Sequence, residues 1–109
     1  MATTYKVLGQ SNPSATTATT LYTVPAATQT VVSTISVCNQ ASTAATYRIA
    51  VRPAGAALAA QHYVVYGATV PASDSTMITV GFTLNTTDVV TVYASSANLS
   101  FNAYGSEIA

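Results

Sequence analysis

The chain is expected to fold as an all-β protein, an antiparallel β-sandwich of about seven or eight strands, Ig-like or jelly-roll-like. Three observations predict this. Val, Ile, Thr and Tyr dominate the patterned segments, and branched or aromatic side chains suit a pleated surface better than a helix. The apolar residues recur with period two, most clearly over Ala45–Pro53. Turn chemistry built on Pro, Gly, Asn, Asp and Ser then breaks the chain every eight to twelve residues, which is the spacing of a sandwich or barrel. At 109 residues the chain makes one domain, 1–109. A chain of this size buries roughly 65% of the surface that its unfolded form exposes, enough for a core without staples.

Taken in order, Thr4 to Leu8 alternates and reads as a first edge strand. Gln10 to Thr20, QSNPSATTATT, has no periodicity and carries an Asn-Pro turn signal, so 10–20 is expected to be a polar loop or arm. Leu21 to Val24 is a short strand stopped by Pro25, which has no N–H to give a ladder. Ala26 to Gln29 turns the chain into Thr30–Gln40, the longest β-branched run. Its inward face is expected at Val31, Ile35 and Val37, with Ser33 interrupting and Val32 and Cys38 opposite; the strand reads as covered on both sides.

After a small-residue turn at 41–44, Tyr47, Ile49 and Val51 point one way and Thr46, Arg48, Ala50 and Arg52 the other. Ala54 to Ala60 is too short to hold a helix alone and is expected as a loop with at most one turn. Gln61 to Val70 reads as a strand with Tyr63 and Val65 opposite Val64 and Tyr66, interrupted at Gly67. Ser75 to Leu84 follows, with Ile78, Val80, Phe82 and Leu84 on one face. Asn85 to Asp88 reads as a hairpin turn. Val90, Val92 and Ala94 face inward on the next strand, and Leu99, Phe101 and Ala103 on the last.

One internal echo stands out. Thr23-Val24-Pro25-Ala26 and Thr69-Val70-Pro71-Ala72 are identical, and Thr30-Val31-Val32 matches Thr76-Met77-Ile78 at the same offset. Two equivalent Pro corners are expected, each feeding a long strand, one per sheet.

Charge is the compositional anomaly. Six charged residues amount to 6% of the chain, against about 25% in ordinary soluble domains. Lys6, Arg48 and Arg52 balance Asp74, Asp88 and Glu107, so the formal net charge is zero. A surface with so little self-repulsion favours association and suits a subunit held in an assembly; an uncharged monomer kept soluble by its Thr and Ser hydroxyls is the alternative. Three scattered cations cannot supply the clustered phosphate contacts that nucleic acid needs. No apolar run approaches the roughly 18 residues of a membrane helix, and no apolar h-region marks a secretory signal.

The chemistry-bearing residues do not gather. His62 is the only imidazole and Cys38 the only thiol, so neither a triad nor a His-based metal site is in view; Cys38 reads as a small buried hydrophobe. Asp74 and Asp88 fall in turns, where Asp bonds its own backbone; a glycosidase carboxylate pair is the functional alternative. The five glycines form no phosphate-cradling loop. Catalytic residues, cofactors and metals are accordingly expected to be absent. The candidate contact residues are Arg48 and Arg52, whose forks suit a partner's carboxylates, together with Tyr5, Tyr66 and Tyr104. Seven tyrosines exceed what the core needs, and a flat ring with a polar tip suits an interface.

The segments YKVLGQSNP, LYTVPAATQTVVSTISVCNQ, ATYRIAVRPAG and LSFNAYGSEI together give the chain a likeness over essentially all of its length. It resembles small β-sandwich virion structural proteins of tailed bacteriophages, those of cyanophages included. The likeness lies in the LYTVPA corner and in VCNQ…YRIAVRPAG, read as a hairpin; it carries no active-site motif. It implies a virion location and a capsid cement or decoration subunit. Its partners would be other virion proteins, the major capsid protein first, in a homo-oligomer such as a trimer. A tail, baseplate or fibre-associated role is the alternative, and a carbohydrate-binding module using exposed tyrosines is a second one.

Overall fold

The computed structural model describes residues 2–109 and contains eight strands: β1 (Thr3–Ser11), β2 (Thr19–Thr23), β3 (Gln29–Asn39), β4 (Ala45–Arg52), β5 (Tyr63–Val70), β6 (Ser75–Leu84), β7 (Val89–Ala94) and β8 (Leu99–Ile108). They form two four-stranded sheets, in the orders β1-β8-β3-β6 and β2-β7-β4-β5. Every pairing is antiparallel. β1 pairs β8, β2 pairs β7, β3 pairs β6 and β4 pairs β5, so the chain is one long ribbon doubled back at the β4–β5 connection. Rolling that ribbon brings β3 beside β8 and β4 beside β7. This is the jelly-roll arrangement among the sandwich topologies.

Two sequence expectations change with that topology. Asn85 to Asp88 is not a hairpin turn, because β6 and β7 lie in different sheets; β3 and β4 likewise do not pair with each other. The two Pro corners are equivalent but do not serve one sheet each. Both carry the chain from the second sheet into the first, where β3 and β6 are direct neighbours. Their likeness is geometric: Ala27 (φ 54°) and Ser73 (φ 52°) stand two residues after Pro25 and Pro71 in the left-handed region. Val24 and Val70, one residue before each Pro, are both buried.

The core lies between the sheets. Val32, Ile35, Val37, Leu99, Phe101 and Ala103 from the first sheet meet Tyr47, Ile49, Val70, Val90, Val92 and Ala94 from the second. Tyr47 and Phe101 meet edge to face across the middle, centroids 6.1 Å apart, a geometry that aromatic quadrupoles favour. The inward sets expected on β4, β6, β7 and β8 are as observed. On β3 the expectation fails before Ser33. The register shifts between Val32 and Thr34 against both neighbours, and a bulge of one residue exchanges the faces. Thr30 and Val32 therefore point inward and Val31 is half-buried. Cys38 lies on the outer phase of the same strand and is half-buried rather than enclosed.

Opposite that bulge, Gly105 of β8 approaches the β3 backbone so closely that a Cβ would stand 1.9 Å from the Val31 carbonyl oxygen. Gly9 is similarly placed, 2.2 Å from the Leu21 oxygen where β1 crosses β2. The polar segment expected at 10–20 draws in to 12–18, since Gln10 and Ser11 extend β1 and Thr19 and Thr20 open β2. It is tied to the domain: Asn12 Nδ2 donates to the carbonyls of Ala97 and Leu99, and the Thr16 N–H to that of Ala94. The β4–β5 connection holds two 3-10 turns, Pro53–Gly55 and Ala60–His62, where at most one turn was expected.

Two buried polar groups close the ends of the sandwich. Asn39, 1% exposed, donates from Nδ2 to the carbonyls of Thr43, Val70 and Pro71 and accepts the Ala41 N–H at Oδ1. Elsewhere, the Tyr22 hydroxyl from the second sheet bonds Thr30 Oγ1 (2.8 Å) and Glu107 of the first. Lys6 Nζ stands 2.8 Å from the other Glu107 oxygen, the one ion pair among the described residues. Burial, then the Glu107 bond, raises the Tyr22 phenol to about 12. The Lys6 bond, then that of Tyr22, holds the Glu107 carboxyl below its ordinary range.

Candidate functional site

The outer face of the second sheet gathers aromatic and cationic side chains outside the core, half-buried except for the exposed Tyr66. It is built by register. On β4, Tyr47 and Ile49 are core residues, so Arg48, Ala50 and Arg52 face outward. Across the ladder Arg48 stands opposite Tyr93 on β7 and Tyr66 on β5. Both rings close on the guanidinium, with Arg48 Cζ 4.1 Å from the Tyr93 centroid and 4.2 Å from that of Tyr66. Stacked contacts of this kind are worth about 0.5–2 kcal/mol each.

Two irregularities in β5 complete the group. The register shifts between Tyr47 and Arg48, where Gly67 (φ 75°) is the extra residue, and again between Ile49 and Ala50, where Val64 is. Glycine adopts that φ without steric cost. The shift at Gly67 turns Tyr66 outward and the one at Val64 turns Tyr63 to the same face, and their rings meet edge to face at 5.0 Å. Plain alternation had set Tyr63 with Val65 and against Tyr66. The result is a continuous series Tyr63–Tyr66–Arg48–Tyr93.

The segment Pro53–His62 folds back over this face and covers Ala50, which is 1% exposed although it points away from the core. Arg52 holds that segment in place. Its Nε donates to Thr91 Oγ1 and its Nη1 to the carbonyls of Gly55 and Ala56. Asp88 accepts the Ala54 N–H. His62 Nδ1 accepts the Ala59 N–H, and the His62 N–H donates to the Ala59 carbonyl. Between the segment and the sheet lies an open cleft of about 630 Å³ lined by Leu58, Ala59, Ala60, Tyr63 and Tyr66.

Of the five residues singled out in the sequence, the structure brings Arg48 and Tyr66 into contact. Arg52 shares their face but spends its donors on the chain itself. Tyr5 and Tyr104 belong to the first sheet: Tyr5 is 83% exposed on the edge strand β1, and the Tyr104 hydroxyl lies 3.4 Å from Ser36 Oγ on β8's outer side. Tyr63, Tyr93 and Leu58 were not singled out. For Tyr93 the signal was present, since it lies out of phase with Val90, Val92 and Ala94. For Tyr63 and Leu58 there was none, because bulges and a non-repeating loop place them.

The two aspartates sit at opposite ends of β6, about 30 Å apart at strand rise. A glycosidase pair needs about 5–9.5 Å, so they do not form one. Each accepts backbone N–H groups, Asp74 from Ser75 and Asp88 from Ala54 and Asn85. Among the described residues no three His, Cys, Asp or Glu side chains stand together as metal ligands, and no helix is long and apolar enough to cross a membrane.

Comparisons with known proteins found no match to a family model, a curated protein or a solved structure.

Proposed function

We propose that the chain is a virion structural subunit of a tailed bacteriophage, a capsid cement or decoration protein that bridges neighbouring capsid subunits within a symmetric homo-oligomer. The role is mechanical: a rigid roll adds contact area and no bond changes. The observation that carries an assembly role is β6. It is an edge strand ten residues long with neither a charge nor a Pro along it, and Met77 on it is 69% exposed. Edge strands of isolated domains are ordinarily blunted by such groups, because their free N–H and C=O groups template another chain. Only the bulge at Gly81 (φ 61°) interrupts β6, and Ser75–Val80 stays open to strand addition. The opposite edge of the same sheet, β1, adds the exposed Tyr5 and Val7.

The jelly roll supports the same reading by analogy, since viral capsid domains use it; so do lectins and cupins, and a fold carries a class of role rather than a chemistry. With six charged residues and zero net charge, little repulsion opposes close packing of copies. The test is removal of the protein from particles. Particles without it should break at lower temperature or under weaker osmotic shock. Particles of unchanged stability that no longer attach to cells would refute the cement role and transfer the protein to the tail, baseplate or fibre. Copy number separates the two directly, with hundreds per particle at the capsid and a few dozen at most in the tail.

A further inference from the structure

We propose that the outer face of the second sheet is a binding site for an acidic oligosaccharide, with Arg48 receiving a carboxylate and the Tyr63/Tyr66 cleft receiving a neighbouring sugar. The inference stands on the geometry of that face and is independent of the cement role. The Arg48 guanidinium carbon stands over the ring of Tyr66, from β5, and over that of Tyr93, from β7. Among the described residues no carboxylate pairs with it and, unlike Arg52, it has no hydrogen-bond acceptor. Tyrosines from the two strands that flank β4 restrain the fork while its N–H groups stay unpaired. An unpaired guanidinium accepts a carboxylate in two parallel N–H···O bonds.

The cleft gives the second half of the site. At about 630 Å³ it falls within the usual range of about 300–1,000 Å³ for small-ligand sites. Its lining is apolar and aromatic, with Leu58 and Tyr66 exposed, and the tyrosine hydroxyls supply polar tips. Tyr66 forms both a wall of the cleft and one cover of Arg48. A ligand that fills the cleft and reaches Arg48 therefore passes the Tyr66 ring, which calls for at least two linked units with flat, partly apolar faces and one acid.

Sparse charge selects among anions. Among the described residues only Arg48 and Arg52 lack a carboxylate partner, and Arg52 is bonded to the Gly55 and Ala56 carbonyls; so few cations do not hold a polyphosphate chain, whose binding rises with the number of phosphates neutralised. A second copy of this chain is a poor source of the acid. Glu107 is held by Lys6 and Tyr22, and Asp74 and Asp88 are engaged with backbone N–H groups.

The test is titration calorimetry of the whole protein with an oligogalacturonide, using cellohexaose as the uncharged control and a Glu-rich peptide and oligothymidylate as the other anions. Binding of the oligogalacturonide alone is expected, weakening with NaCl, while Arg48→Gln weakens it about tenfold to a hundredfold. Tyr63→Ala should weaken it and retain the salt dependence, since the carboxylate contact survives. Should Arg48→Gln not fold, as judged by its urea midpoint, the salt dependence of the unsubstituted protein decides. Equal binding of the neutral and acidic sugars, no binding of either at millimolar concentration, or tighter binding of the peptide or the oligothymidylate would each overturn the proposal.

Discussion

Gly105→Ala puts the packing of β8 against β3 to a severe test. In most strands an alanine in place of glycine is favourable, because glycine loses more conformational freedom on folding, by roughly 0.5–1 kcal/mol. Here the sign should reverse. The added Cβ would meet the Val31 oxygen at 1.9 Å, the Val31 carbonyl carbon at 3.0 Å and the Val32 Cα at 3.1 Å. All three are backbone atoms of the neighbouring strand, so no rotamer change relieves them. A tolerable C···O contact is about 3.3–3.6 Å, and the strands must part by about 1.5 Å to reach it. That displacement stretches local ladder bonds from about 2.9 Å beyond hydrogen-bond range. Two interior bonds lost, at about 1–3 kcal/mol each when the groups stay buried, give a loss of about 2–6 kcal/mol. A domain of this size has only about 5–15 kcal/mol in total.

Urea unfolding followed by circular dichroism reads the change directly, since the midpoint should fall steeply at an unchanged slope. Gly81→Ala is the internal comparison: a Cβ there meets nothing within 4 Å, but φ is 61°, so the loss should be about 1–2 kcal/mol. A Gly105→Ala protein as stable as the parent, or more stable than Gly81→Ala, would refute the close approach of β8 to β3.

Four further outcomes follow from the same structure. Tyr22→Phe should cost about 1–3 kcal/mol by leaving the buried Thr30 hydroxyl without its partner; adding Thr30→Val should recover part of it, and strict additivity in the double-mutant cycle would contradict the bond. Because Glu107 has a lowered folded pKa, its contribution is complete above the unfolded value near pH 4.3–4.5 and lost as pH falls through the folded one. The parent should therefore lose stability below about pH 5 more steeply than Glu107→Gln, as read by unfolding midpoints; parallel curves would reject the assignment. At the alkaline end Tyr22, raised to about 12, contributes stability that is complete below about pH 10 and lost between there and about pH 12. Tyr22→Phe should flatten that fall. Finally, Ala27→Gly relieves a left-handed alanine and should raise the thermal midpoint by the equivalent of about 0.5–1 kcal/mol, with a lowered midpoint as the contrary result.

The elements themselves were legible because alternation is local. Each residue of Tyr47-Arg48-Ile49-Ala50-Val51 shows its face through its neighbours alone, and β7 and β8 read as directly. Pro25 and Pro71 likewise mark corners by what they lack, an N–H. Half of the candidate face could be read in the same way, since Arg48 had to point away from the core that Tyr47 and Ile49 enter. What alternation cannot register is an inserted residue. Ser33 exchanged the faces of β3 and Val64 turned Tyr63 toward Tyr66, each through a bulge, and at Val64 a branched residue gives no local sign of one.

Partnership was the other thing that only the tertiary structure decided. Of the seven connections between successive strands, β4–β5 alone joins neighbours within one sheet; every other one crosses the core. A turn such as Asn85–Asp88 looks the same in sequence whether its strands pair or part, because turn chemistry describes the bend and not the destination. The destination is set by burial of both inner faces at once, a condition that involves all eight strands and belongs to no single segment. The sequence by itself thus determined a two-sided β fold with sparse charge and an outward Arg48. The roll, its unprotected β6 edge and the tyrosines closing on Arg48 came from how distant strands satisfy one another.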